Sequence, residues 1–85
     1  MIHELKTWIE YFQLVADGIK PFELRKNDRD FRAGHELLLK EYDKNSKKYT
    51  GRELHFKITY VLDGSKSENF GLKKGYCILG LEKIN

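Results

Sequence analysis

The chain has 85 residues, 40% of them apolar and 13% aromatic, which allows one hydrophobic core in a single domain spanning residues 1–85 and excludes a disordered chain. Sixteen lysines and arginines against thirteen acids leave a net charge of +3, a mild lean toward polyanions. The one cysteine, Cys77, excludes an internal disulfide, and His3, His35 and His55 show no metal-ligand spacing with it, so no metal and no cofactor are expected.

His3 to Lys6 reads as a short first strand. In T-W-I-E, Thr7 is a candidate N-cap and Glu10 stands three residues on, the spacing of a capping box. Trp8, Tyr11, Phe12 and Val15 recur at helical spacing, which predicts a helix over 8–17 burying that face, with Gly18 just past its end. The period then changes to two. Phe22 and Leu24 alternate with Glu23 and Arg25, as in a half-buried strand, and Pro21 belongs at its start or on an edge. N-D-R-D is turn chemistry, and a tight turn over 31–34 leads into a second strand over 36–42. Residues 43–51 read as an exposed loop. Next, Leu54, Phe56, Ile58, Tyr60 and Leu62 share one strand face, opposite Glu53, His55, Lys57 and Thr59. A polar loop over 63–75 and a last strand over 76–84 close the chain. Trp8, Phe12, Phe56 and Tyr60 are expected in the core. One helix and four or five strands predict a small α+β domain, its twisted sheet curled into a partial barrel with the helix against one opening.

The densest chemistry lies in G-I-K-P-F-E-L-R, residues 18–25. Glu23 and Arg25 are two apart on a strand and leave the same face, with Lys20 in reach of the same space. A lysine and an arginine beside a carboxylate can hold a phosphate, while the carboxylate accepts from a base edge or neutralises the arginine. The bland reading is a surface ion pair, worth about 0 to 1 kcal/mol. Further positive charge sits at Arg29, at Lys47, Lys48 and Arg52, and at Lys73 and Lys74, all in or beside expected loops that form one rim if they share an end of the fold. Tyr49, between Lys48 and Arg52, is the best candidate to stack on a base.

Gly18 to Arg25 matches G-x-K-x-x-E-x-R, the signature of the ASCH family within the PUA-like superfamily, which this chain resembles over nearly its whole length. H-E-L-K at 3–6, the aromatic helix, Phe31-Arg32-Ala33-Gly34 and the Leu-rich strand stand where that family has similar segments. Y-T-G-R and G-Y-C-I-L resemble a small group of bacterial and phage-encoded ASCH-like proteins. The resemblance implies a PUA-like pseudobarrel whose signature residues line a cleft beside the helix, and a module that binds RNA or a nucleotide. On that reading Lys20 and Arg25 hold an anion, Glu23 a polar edge, and Arg29, Tyr49, Lys47, Lys48 and Arg52 widen the footprint.

The alternative is a small amidohydrolase acting on an acylated nucleoside such as N4-acetylcytidine, with Lys20 reactive and Glu23 as its catalytic partner. Such relatives have Thr where this chain has Glu23, and use a carboxylate far downstream, for which the late acids here are Glu68 and Glu82. His35 also stands where related sequences have Asp. With no apolar run long enough to span a bilayer and an unpaired cysteine, the sequence points to a cytoplasmic protein, expected to be a monomer.

Overall fold

The computed structural model of the chain describes residues 1–67 and 70–84. Its elements are β1 (Ile2–Trp8), α1 (Ile9–Ala16), β2 (Phe22–Lys26), β3 (Glu36–Asp43), β4 (Lys48–Asp63), a single turn of helix α2 (Gly64–Ser67) and β5 (Tyr76–Lys83). The strands form one sheet in the order β1-β3-β4-β5-β2. β1 runs parallel to β3, and every other pairing is antiparallel. The sheet curls into a half-barrel with α1 packed on it, so the expected α+β, barrel-like architecture is present.

Strict alternation builds the inner wall. His3, Leu5 and Thr7 of β1 point inward, in register with Leu37, Leu39 and Glu41 of β3, which are buried too. Phe56 and Ile58 of β4 and Cys77 and Leu79 of β5 continue this layer, and Phe12 and Val15 of α1 close over it. Burying these side chains, at about 25 cal/mol per Å² of apolar surface, is the main term holding the domain together.

Several expectations are corrected. The helix begins at Ile9, and Thr7 is not its cap: Trp8 occupies that position, in extended conformation and without a side-chain capping bond. β1 runs straight into α1, so the Thr7 side chain faces the barrel interior with His3 and Leu5. Trp8 and Tyr11, expected in the core, are 44% and 46% exposed.

In β4 the register shifts between Ile58 and Tyr60. The extra residue turns Tyr60 outward, 62% exposed, and brings Val61 against the core in its place. The expected loop over 43–51 is mostly strand, because β3 and β4 form a hairpin whose turn is confined to 44–47 with Lys47 in the left-handed region. Within the expected 63–75 loop α2 forms a turn of helix, and positions 68 and 69, including the candidate acid Glu68, lie outside the described residues.

Gly18 does adopt the left-handed conformation expected after the helix (φ +75°).

Candidate ligand-binding cleft

β1 and β2 are the two edges of the half-barrel, and a cleft of about 580 Å³ lies where they face one another. Lys6, Thr7 and Trp8 line it from β1, Tyr11 from α1, and Lys20 with Phe22 to Arg25 from the segment carrying the signature. The helix stop at Gly18 makes the turn that brings the Lys20 side chain against Glu23, three residues on, and the strand pleat puts Glu23 and Arg25 on one face.

That face is the inner one, the reverse of what the apolar residues predict. Glu23 is 3% exposed, whereas Phe22 and Leu24 are 41% and 54% exposed. A buried carboxylate needs charged or polar partners, and each Glu23 oxygen has its own. Lys20 Nζ donates to Oε1 at 3.1 Å, while Arg25 Nε and Nη2 approach Oε2 at 3.0 and 2.8 Å. Arg25 Nη2 also donates to the Lys6 carbonyl at 2.9 Å and to Thr7 Oγ1 at 3.3 Å. One guanidinium thus fixes the Glu23 carboxylate and joins the two sheet edges.

The walls are aromatic. Trp8 and Tyr11 stack with ring centroids 6.4 Å apart, and Lys20 Nζ lies 5.2 Å from the Tyr11 ring centre and 5.4 Å from that of Phe22. One carboxylate against two cations leaves the signature cluster with a net positive charge, in a cleft whose walls suit a flat ring.

The remaining candidates stand elsewhere. Arg29 Nη1 donates to the Glu4 carbonyl at 2.8 Å, a second bridge across the same seam. Arg52 is held over the Phe12 ring at 4.9 Å, donating to Gln13 Oε1 at 3.0 Å and facing the buried Glu41 at 3.6 Å. Lys47 and Lys48 are exposed at the β3–β4 hairpin, beside Tyr49, whose ring meets that of Tyr42 edge-on at 5.1 Å. None of these five lines the cleft. Glu82, the late acid among the described residues, is exposed on β5 opposite Lys57 and away from the cleft lining. Among the described residues no group of three His, Cys, Asp or Glu side chains is placed to hold a metal, and no helix is long and apolar enough to cross a membrane.

Compared with known proteins, residues 2–81 match the family described as a domain of unknown function, DUF3850. The chain belongs to that family. It is similar to an uncharacterized 12.9 kDa protein encoded in the GpA 3′ region of Escherichia phage P2, with 42% identity over 62 residues, 73% of this chain. The chain spans 55% of the length of that phage relative.

Four parts of this DUF3850 cleft escape the sequence patterns. Thr7 stands at capping-box spacing, and Trp8 and Tyr11 stand at core spacing. The Lys6 carbonyl carries no sequence signal at all. For Thr7 a signal existed: it continues the inward period of His3 and Leu5, which a strand running into the helix preserves. Glu41, the other buried carboxylate, follows the same rule behind Leu37 and Leu39, and Thr50 Oγ1 donates to it at 2.6 Å.

Proposed function

We propose that this domain is an ASCH-like, PUA-like module that binds RNA or a nucleotide in the cleft between β1 and β2, working as a monomer in the cytoplasm. The observation that carries the reading is the convergence of Lys20, Glu23 and Arg25 on a cleft walled by Trp8, Tyr11 and Phe22. A base stacks on the exposed ring faces, and the Lys20 ammonium, with one of its three N–H groups turned to Glu23, has others to give a phosphate. Glu23, locked between its two cations, offers remaining lone pairs to an N–H on a base edge, such as N3–H of uracil. The volume is in the range that encloses small organic ligands, roughly 300–1,000 Å³.

The test is binding of uridine monophosphate and short RNA by fluorescence, with Lys20→Ala and Lys20→Ala/Arg25→Ala compared after circular dichroism has established folding. The expected result is binding that weakens steeply with salt and is lost in both variants. Unchanged binding in folded variants removes this cleft from the explanation.

A second reading, hydrolysis of an acylated nucleoside such as N4-acetylcytidine, draws on the Lys20 amine lying 3.1 Å from a carboxylate in the same cleft. A lysine that donates to a carboxylate acts as a donor before it acts as a nucleophile, so the clamp is the better fit. Release of free cytidine on prolonged incubation would reverse that preference, and none at high protein concentration would dispose of the hydrolase for this substrate.

A further inference from the structure

Outside the cleft, the outer face of the sheet carries an aromatic row that the cleft chemistry does not use. Trp8, Tyr42 and Tyr49 stand side by side on β1, β3 and β4, in register as Trp8–Tyr42 and Tyr42–Tyr49. Trp8 belongs to both places: it ends this row and, stacked on Tyr11, begins the wall of the cleft. The series runs from Tyr49 through Tyr42, Trp8 and Tyr11 to Phe22, with ring pairs at Tyr49–Tyr42 and Trp8–Tyr11, strand register between Tyr42 and Trp8, and the Lys20 amine between Tyr11 and Phe22.

Each ring has a lysine beside it. Lys40 Nζ lies 5.1 Å from the Tyr49 ring centre, Lys6 Nζ 4.2 Å from that of Tyr42, and Lys44 Nζ 4.4 Å from that of Trp8. Lys20 serves Tyr11 and Phe22. Three of these lysines also meet carboxylates, Lys20 with Glu23 at 3.1 Å, Lys40 with Glu4 at 3.4 Å and Lys44 with Glu10 at 3.0 Å, and Lys47 and Lys48 carry positive charge on past Tyr49.

We propose that this row is a stacking track for single-stranded RNA, and that the cleft receives one nucleotide of a longer strand. The inference rests on the nucleotide-binding reading of the cleft and extends it to the polymer. Three features point to a single strand. Rings with accessible faces take bases of any identity, and amines within a few ångströms of each ring meet the phosphates that link those bases. The ring spacings of 5.1 and 6.4 Å exceed the roughly 3.4 Å rise of a stacked duplex strand, so they suit bases spread along an extended chain. An exposed cation–π contact is also weaker than base stacking on an aromatic ring, so a base displaces the lysine, which swings to the backbone.

Trp8 is the only tryptophan, and its fluorescence reports on both the cleft and the track. The probes are uridine monophosphate and oligouridylates of increasing length, titrated into the wild-type chain, Tyr49→Ala and Tyr49→Leu. The leucine keeps apolar bulk against Tyr42 without a ring, so it separates lost stacking from a disturbed hairpin. The expected result is affinity rising at least tenfold between one nucleotide and about four, with that gain lost in both Tyr49 variants while uridine monophosphate binds as before. Mononucleotide binding with no gain in length, or a gain indifferent to Tyr49, overturns the track and leaves the cleft standing. No quenching or binding by either probe overturns both.

Discussion

Arg25 of β2 donates through Nη2 to the backbone carbonyl of Lys6 in β1 at 2.9 Å, so a side chain joins two strands that no backbone hydrogen bond connects. Arg29 repeats the device two residues back along β1, at the Glu4 carbonyl. Carbonyls two apart on an edge strand point the same way, and an unpaired row of them invites another strand. Two guanidiniums occupy it instead. This leaves a gap between the edges wide enough for a cleft, where direct strand pairing would have closed the barrel.

Replacing Arg25 therefore strikes fold and site together. Arg25→Lys keeps a charge near Glu23 but loses the fork that reaches Lys6 and Thr7, and should cost about 2 kcal/mol. Arg25→Ala leaves Glu23 with Lys20 alone and should cost about 3 kcal/mol. Arg32→Ala breaks a pair with Asp30 whose side chains are 69% and 77% exposed, and should cost less than about 1 kcal/mol. Urea denaturation of the three variants checks this ranking, and an Arg25→Lys protein as stable as wild type would mean the seam carries little of the fold's free energy.

Gly64 and Gly80 offer a comparison in steric terms. A Cβ on Gly64 would run into the Lys73 carbonyl oxygen and lie 2.7 Å from that of Tyr76, the first a backbone atom of the turn leading into β5, where it accepts from the Tyr76 N–H, and the second at the first residue of that strand. On Gly80 the tightest neighbour is the Thr59 hydroxyl at 2.8 Å, a group that can rotate away. Gly64→Ala should destabilise by about 2 to 3 kcal/mol and Gly80→Ala by appreciably less, read as shifts of the thermal midpoint. Equal shifts would show that the Lys73 carbonyl moves freely.

The extent to which the molecule is legible from sequence follows the range of the forces involved. Lys20, Glu23 and Arg25 meet because they lie within six residues on a turn and a strand, so their spacing alone brings them together. The periods of β1, β3 and β5 are legible for the same reason. Which face of β2 turns inward is not, since alternation fixes the period and not the side. Phe22 and Leu24 argue for one face, but Lys20 and Arg25 satisfy Glu23 on the other, and Arg25 is itself held by Thr7. Trp8 and Tyr11 sit at core spacing yet lie where the sheet ends and the helix has nothing opposite to bury them. The Tyr60 side chain depends on a register shift set by β5. The seam itself spans 19 and 25 residues along the chain, beyond any local pattern.

Cys77 should be chemically silent in the folded chain. Its side chain is fully buried between Leu79 and the rest of the core, and burial first, then the charges of Asp63 and Asp28, push its thiol above the ordinary value of 9.0. The thiolate is the reactive form, so iodoacetamide labelling followed by mass spectrometry should be negligible in buffer at neutral pH and rapid in denaturant. Fast labelling without denaturant would require that β5 opens readily from β2 or β4.

The acid side of the stability profile should be set in part by His3. Its Nε2 lies 3.0 Å from Nδ1 of His35, and it packs against the edge of Phe31 at 4.8 Å. A hydrogen bond between two imidazoles needs one nitrogen with a free lone pair, so it does not survive full protonation of both rings. Burial first, then His35, Arg29 and the N-terminal amine, hold the His3 pKa below its ordinary value of 6.5, with Asp30 opposing. In the window between that lowered value and 6.5 the unfolded chain binds the proton more readily than the folded one, so stability rises with pH there. The contribution is complete above 6.5 and is lost as the pH falls toward the folded-state value. Between about pH 7.5 and 5.5, above the main carboxylate range, the urea midpoint of the wild-type chain should fall, and His3→Gln should flatten the fall. A wild-type midpoint constant over that range, or a slope unchanged in His3→Gln, would show that the titration lies elsewhere.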